Sequence, residues 1–549
     1  MNFLEDIFER LVNAPPRMVL EEMRPEGRVS VTAAELLESV GAARAFLAAA
    51  GLRKGSRCAM LAPNSIQWVA LDLAAMADGI IVVPLYTRQA PGELAAMIRD
   101  SEPAIICCGN EDLRRNLLAA LPDAAPRTIP LQEIFGASAT QAATLLTKPA
   151  PLADSDPVAI IYTSGTSGES KGVVLTVENV TYMLSCTTAR LELLMGGRKE
   201  ADSVFHYLPF CFAGSWILLL SSLLRLSELR LSTDLTRLAD DLREAAPDYC
   251  LNVPQLLERM RAAIKAQLGK RGGFVSKIFA NAEAACLGIG NGKGSGLSPL
   301  LARQLIFPSI RKKLGPNLRA LICGSAPLAR ETQLFFQMLG IPVLQVYGLT
   351  ETTAICTMDD PRHVEAGTVG PAIPGIDMKL GDQNEILVRG PNIFSGYWNR
   401  PAETARTLSH GWFRTGDQGE RTSAGNWRVV GRLKNLLVLS SGHNIAPEPM
   451  EEALLRGIAG AQQVVLFGNE RSFLSALVTG DVALDQVEAA VAQLNSTLPH
   501  YRQIRAFHIE PEPLTLESGL LTANGKLRRE AIAAHFRNEI ESMYRKNPT

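Results

Sequence analysis

No apolar run in this 549-residue chain is long enough to cross a bilayer. The longest strongly apolar stretch is residues 216–224, against roughly 20 residues for a span. An excess of one charge is missing as well: 55 Lys and Arg stand against 56 Asp and Glu, for a net charge of −1. That balance excludes a protein built to coat nucleic acid or an anionic membrane, although it is compatible with peripheral membrane contact. The nine cysteines are scattered, with no CxxC pair and no metal-like spacing, and Cys107 and Cys108 are adjacent. They read as reduced core residues of a cytoplasmic protein rather than as a disulfide framework or a zinc module. There is no internal repeat and no low-complexity tract. The opening MNFLEDIFERL is acidic and amphipathic, without the basic start and apolar stretch of a signal peptide.

What is present is ordinary globular material, 47% hydrophobic and 20% charged. The length calls for two or more domains. The most informative stretch is residues 160–176, IIYTSGTSGESKGVVLT. A buried strand leads into a loop of threonines, serines and glycines that ends at Lys171. Small residues let backbone N–H groups approach an anion, hydroxyls add donors, and the lysine adds charge. A polyphosphate cradle is one reading and a polar hairpin loop the other. It is not the common nucleotide loop, because Lys171 is followed by Gly172 rather than by Ser or Thr at a helix start.

Along the chain, residues 4–24 suggest a helix broken at Pro15-Pro16. Helical spacing over 32–50, 65–77 and 92–99 alternates with apolar strands at 56–61, 79–85 and 104–108, the pattern of parallel sheets covered on both faces. Residues 122–157 read as a surface connection. Thr176 is placed to cap a helix with Glu178 in its first turn. Residues 205–216, FHYLPFCFAGSW, form an aromatic-rich turn, and Pro254 opens a further helix. Residues 269–298 read as a flexible loop. Strands at 318–323 and 343–346 end in Gly324-Ser325-Ala326-Pro327 and Tyr347-Gly348-Leu349-Thr350-Glu351. Ligands of open α/β sheets collect at such carboxyl ends. Residues 412–417, WFRTGD, read as a turn with an acidic end. Beyond Lys434 lies a smaller unit with helices at 450–455, 484–498 and 528–544 and strands at 461–467 and 474–478.

In their order, YTSGTSGESKGV, GSAPL, YGLTET, WFRTGD, GRLKN, LSSGHNIAPEPME and TANGKLRR resemble the AMP-forming acyl-adenylating enzymes. That superfamily comprises acyl-CoA synthetases, luciferases and peptide-synthetase adenylation domains, and the resemblance covers nearly the whole chain. The implied fold is α/β. Residues 1–433 would form a large N-terminal domain of doubly covered, mostly parallel sheets plus a β-rich subdomain. Residues 434–549 would form a small mobile α+β domain. The resemblance implies that Thr163, Ser164, Gly165, Thr166, Ser167, Gly168 and Lys171 hold the β and γ phosphates of ATP. Gly324, Ser325, Ala326, Tyr347 and Gly348 would frame adenine. Thr350 would meet the α-phosphate, Glu351 would hold Mg²⁺, and Asp417, helped by Arg432, would take the ribose hydroxyls. Lys434 matches the hinge, and Lys526 the lysine that bridges carboxylate and α-phosphate. Gly442 and His443 would line the thiol path. Ser170 stands where the family usually has proline.

The implied chemistry suits these residue types. A carboxylate attacking an anionic phosphorus needs its charge neutralised and its line of approach fixed. The acid reads as a medium- to long-chain fatty acid, because residues 300–328 and the stretches LSSGHNIAPEPMEEAL and ESGLLTANGKLRR resemble bacterial long-chain acyl-CoA synthetases. Trp216 falls where some of those place a tunnel tryptophan; a core tryptophan is the other reading. Phe212 replaces the histidine of the LPxxH stretch in many relatives, so an aryl acid stays an alternative. The acceptor reads as coenzyme A, with the phosphopantetheine arm of an acyl carrier protein as the alternative. No nucleic-acid partner is expected, and the oligomeric state reads as monomer or homodimer.

Overall fold

The computed structural model describes residues 2–121, 125–136, 148–163, 170–198, 200–270, 273–287, 302–522 and 525–546. Two large sheets organise the first part. One has seven strands, in the order Gly396–Tyr397, Lys171–Thr176, Pro157–Thr163, Ile81–Leu85, Arg57–Leu61, Ile105–Cys108 and Arg127–Pro130. The other has eight, in the order Thr357–Met358, Val343–Tyr347, Ala320–Cys323, Tyr249–Asn252, Ser203–His206, Glu228–Ser232, Met18–Arg24 and Gly27–Thr32. The central pairs are parallel; the outer ones are antiparallel, except that Arg127–Pro130 joins its edge in parallel. This is the expected α/β class.

The helices Ile66–Ala77 and Ala213–Leu224 are apolar on nearly every side and almost wholly buried. A helix without a polar face must be covered all round, and Ile66–Ala77 meets strands of both sheets, Ile81–Leu85 and Met18–Arg24. A single hydrophobic cluster joins these helices to both sheets. Separate clusters cover the outer faces. Local signals fix the helix starts as expected. Thr32 caps Ala33–Ala49, and Thr176 caps Val177–Met195 through a reciprocal bond with Asn179.

A five-stranded unit follows, in which Trp412–Arg421 pairs with Glu385–Arg389 and with Trp427–Arg432. The expected turn at residues 412–417 is therefore a strand. Between the pairs Glu385↔Gln418 and Leu387↔Arg414 its register shifts, with Gly416 at φ +69°. Thr415-Gly416-Asp417 is thus a bulge, which bends the strand and re-aims one side chain. Beyond residue 434 the strands Ala461–Phe467, Leu474–Gly480 and Ile504–Glu510 form a three-stranded sheet. Helices Glu448–Gly457 and Leu484–Asn495 cover one face, and Arg529–His535 and Arg537–Lys546 the other.

Other expectations are corrected. Met18–Arg24 is a strand rather than a helix continued past the prolines, because it has a parallel partner in Glu228–Ser232. Residues 273–287 form a helix, Gly273–Leu287, where a loop was expected; residues 288–301 lie outside the described residues. The connection at 122–157 contains a strand, Arg127–Pro130, and a short helix, Leu131–Phe135. The final helix is two, divided at Phe536. All nine cysteines are free, seven of them buried. Among the described residues no helix is long and apolar enough to cross a membrane.

One carboxyl group lies inside the middle layer. Asp72 is fully buried and accepts a hydrogen bond from Trp216 Nε1 at 2.9 Å, while its Oδ1 has no partner among the described residues. Burial pushes this carboxyl up to about 7, opposed by the indole N–H. A folded-state pKa above the unfolded value means that the folded protein holds the proton more tightly. Its stabilising effect is full below about pH 4 and is lost as pH rises through about 7. The variant Asp72→Asn removes the titration while keeping an acceptor for Trp216. In denaturation followed between pH 4 and 8, wild type should lose stability relative to the variant, by a few kcal/mol at most. Parallel pH profiles for the two proteins would contradict this account.

Candidate active site

The parallel strands Tyr249–Asn252, Ala320–Cys323 and Val343–Tyr347 all end at one cleft of about 3420 Å³. The bulge at Asp417 and the turn carrying Lys526 face it from the other side. Asp417 is 3% exposed. Its Oδ1 pairs with Arg432 Nε at 2.7 Å, and Tyr347 Oη donates to its Oδ2 at 2.7 Å. Asp417 and Arg432 face each other across the ladder. The bulge is held by Glu385, which accepts from Gly416 N at 3.0 Å and pairs with Arg414 at 2.6 Å. Burial pushes the Asp417 carboxyl up, against the pull of Arg432 and Tyr347. The Tyr347 hydroxyl is pushed well above its ordinary range by burial and by the Asp417 charge.

The turn after Val343–Tyr347 is tightly built. A Cβ on Gly348 would lie 2.2 Å from the carbonyl oxygen of Ala354, so no side chain fits there. Gly324 is close to Val346 in the same way, and Ser325 takes a left-handed φ of +73° at the cleft wall, beside Ala326. Thr350 opens a short 3-10 turn, and Glu351 beside it is 9% exposed. Tyr397 Oη donates to Glu351 Oε1 at 2.8 Å.

Thr163 and Lys171 are register partners at the mouth of their hairpin. The remaining expected phosphate-loop residues, Ser164, Gly165, Thr166, Ser167 and Gly168, lie outside the described residues. Lys171 forms an ion pair with Glu403, and its ammonium stands 5.2 Å from the Tyr397 ring centre. Lys526 has exposed surface and lines the cleft. Protein crowding and Arg432 push its ammonium pKa down, while Asp417 and Glu351 pull it up. Lys434 sits in the turn Leu433–Asn435, also facing the cleft, and is pushed down to about 8 by burial, Arg432 and Lys171.

The structure thus brings Gly324, Ser325, Ala326, Tyr347, Gly348, Thr350, Glu351, Asp417, Arg432, Lys434, Lys171 and Lys526 to one cleft. Phe212 lines it too, its ring 5.4 Å from that of Tyr86. Trp216 does not. It is 1% exposed, bonded to Asp72, and belongs to the core, because its position on the helix points between the sheets. Gly442 and His443 also stand apart, in the hairpin between Leu437–Val438 and Asn444–Ile445, where the imidazole stacks on Tyr501 at 4.1 Å. Sequence reasoning missed Tyr397, Glu403, Glu385 and Tyr86. Each acts through a partner distant in the chain, so no local spacing marks it.

In comparisons with known proteins, the model of the AMP-binding enzyme family matches residues 8–398, and that of the AMP-binding enzyme C-terminal domain matches residues 434–548. A long-chain-fatty-acid–CoA ligase, FadD15, of Mycobacterium bovis is 27% identical, with 98% of this chain and 96% of that protein covered. The fold is shared with O-succinylbenzoate coenzyme A synthetase from Bacillus subtilis in complex with ATP and magnesium ion. There the TM-score is 0.74 and the identity 21%, over 96% of this chain and 98% of that one. It is shared too with a Mycobacterium tuberculosis fatty acyl CoA synthetase, with a TM-score of 0.67 and 23% identity over 97% and 99%.

The crowding of cations can be tested without any ligand. A lysine with a pKa of about 8 is half neutral at that pH, whereas an ordinary one needs a pH of about 10.4. Amine labelling read by mass spectrometry should therefore modify Lys434 with a midpoint near pH 8, ahead of surface lysines. The variant Arg432→Met should move that midpoint upward. Labelling of Lys434 only at the pH of ordinary lysines would refute this picture of the cleft.

Proposed function

This chain belongs to the family of AMP-binding enzymes, within the AMP-forming acyl-CoA synthetase superfamily, and from that premise we propose its substrates and the roles of its residues. The acid is a medium- to long-chain fatty acid, activated by ATP to acyl-AMP and pyrophosphate and then transferred to the thiol of coenzyme A. One observation carries the reading. Lys526, from the far end of the chain, faces the same cleft as the buried, doubly bonded Asp417 and the carboxylate of Glu351. The fatty acid is supported by the likeness to the long-chain-fatty-acid–CoA ligase of M. bovis.

In this reading Asp417 accepts both ribose hydroxyls, since an ionised carboxylate offers two acceptor oxygens. Arg432 opposes the upward push of burial on that carboxyl. Gly348 and Gly324 leave the wall free of side chains, so that a flat base can lie against the backbone. Lys526 places its charge between the carboxylate and the α-phosphate, with Thr350 beside it. Lys171 exchanges Glu403 for the terminal phosphates. Glu351 fits a magnesium ion: Tyr397 bonds one of its oxygens and leaves the other available. Among the described residues no group of three or more His, Cys, Asp or Glu could hold a metal, and Mg²⁺ is commonly held by one or two carboxylates together with substrate phosphates. When bound, the ion neutralises phosphate charge as the five-coordinate state forms.

Lys434 serves as the hinge between a unit of residues 1–433 and one of residues 434–549. The second unit then rotates to bring Gly442 and His443 to the thiol path, a change of arrangement that lets one cleft serve two steps. An aryl acid is the second reading, favoured by the paired rings of Tyr86 and Phe212 at the cleft.

Pyrophosphate release with ATP and Mg²⁺ across fatty acids of graded length and aryl acids, with and without coenzyme A, tests the reading. Turnover that needs coenzyme A and peaks at one fatty-acid length is expected. Acyl-AMP that accumulates without turnover would assign the acceptor to a carrier protein, and response to aryl acids alone would overturn the fatty-acid substrate. Lys526→Ala should lower acyl-AMP formation by about two orders of magnitude or more, yet leave thioester formation from supplied acyl-AMP intact. Loss of both steps, or of neither, would contradict its role.

A further inference from the structure

Two residues after Lys526, Arg528 forms an ion pair with Glu93, which is distant in the chain. Glu93 lies in the first turn of the helix Pro91–Ser101, where the helix dipole favours a carboxylate. It also accepts from the side-chain amide of Gln89. Both partners of the pair are largely withdrawn from solvent, at 30% and 21% exposure. The two elements share no sheet. The Glu93 helix packs into the cluster of Leu94, Met97 and Ile98, whereas the turn of Lys526 packs through Leu520 and Leu527 against the last helices.

The described limbs of that turn are bonded to each other. Leu521 and Leu527 bridge; Thr522 N donates to Lys526 O at 2.8 Å, Lys526 N to Thr522 Oγ1 at 3.0 Å, and Arg528 N to Leu520 O at 2.9 Å. Lys526 and Arg528 are alternate residues on its returning limb, so their side chains leave on the same side. Whatever holds Arg528 therefore holds Lys526.

We infer that the Glu93–Arg528 ion pair is a latch that positions Lys526 in the cleft for acyl-AMP formation and must open before the second step. This rests on the acyl-adenylating reading given above. Arg528 and Glu93 are positioning residues, acting only through the placement of Lys526. Since neither contributes to a hydrophobic cluster, breaking the pair leaves both cores intact and shifts only the balance between arrangements.

The test measures the two half-reactions separately on the full chain: pyrophosphate release with ATP, Mg²⁺ and acid, and thioester formation from supplied acyl-AMP and coenzyme A. Glu93→Gln and Arg528→Gln should each slow the first by roughly three- to tenfold, the range for a partly buried ion pair. They should leave the second unchanged or faster, with an unaltered melting temperature. The exchanged pair, Glu93→Arg with Arg528→Glu, should restore the first. Unchanged pyrophosphate release in the single variants would overturn the latch. So would an equal fall in both half-reactions accompanied by a lower melting temperature, which marks a merely structural contact. If wild type itself released no pyrophosphate with any acid, the acyl-adenylating reading would fail first, and the latch with it.

Discussion

A carboxylate taken out of water must be met by charge or by hydrogen bonds, and Asp417 is taken almost wholly out. Meeting that demand ties three separate stretches together. The bulge at Thr415-Gly416-Asp417 turns the side chain inward; Tyr347 arrives at the end of a strand of the eight-stranded sheet; Arg432 comes from the neighbouring strand of the five-stranded unit. The bond from Tyr347 to Asp417 ties the β-rich unit to the large sheet. A second contact, from the edge strand Gly396–Tyr397 of the seven-stranded sheet, sets Tyr397 against Glu351. The carboxyl group proposed to bind the ribose is therefore also one that joins the walls of the cleft.

How much of this was legible depends on whether the signal was local. The cap Thr176, and apolar runs such as those ending in Leu61, Leu85 and Cys108, lie within one window of sequence, and they fall where expected. Thr-Gly-Asp read as a turn because a left-handed glycine usually marks one. Only the paired strand Glu385–Arg389 turns it into a bulge. Met18–Arg24 similarly needs its distant partner to be a strand. The helix Gly273–Leu287 was hidden by glycines on either side, which outweighed the apolar residues Ile278, Phe279 and Ala282 that anchor it. At the site, residues within ordered motifs were found, whereas Tyr397, Glu403 and Glu385 were not, since each acts on a residue from another motif.

Trp216 shows the same limit for substrate. An aromatic beside an apolar helix reads equally as pocket or core, and the choice is made by one buried carboxyl group, that of Asp72, whose place opposite the indole is a matter of helix packing. With Trp216 committed to the core, the described wall near Phe212 is formed by its neighbours, Ser215, Ile217 and Leu218, together with Tyr86. The helix thus uses one face to join the two sheets and another to shape the cleft. If the acyl group lies along this wall, as proposed, a change of specificity there is constrained by packing on the reverse side.

The electrostatics of the cleft join binding to conformation. Arg432, Lys434, Lys171 and Lys526 converge there, and burial, with the neighbouring cations adding to it, lowers the proton affinities of Lys434 and Lys526. Placing Lys526 inside is unfavourable so long as Asp417 and Glu351 are its main counter-charges. In the proposed reaction, a bound polyphosphate and an acid supply several more negative charges, and so they favour the arrangement with Lys526 inserted by differential affinity rather than by contact alone. Departure of pyrophosphate removes most of that charge and leaves the cations repelling one another. The same repulsion then favours withdrawal of the turn that carries Lys526. In the proposed reaction, reversal of the arrangement after the first step would thus follow from the charge of the leaving group.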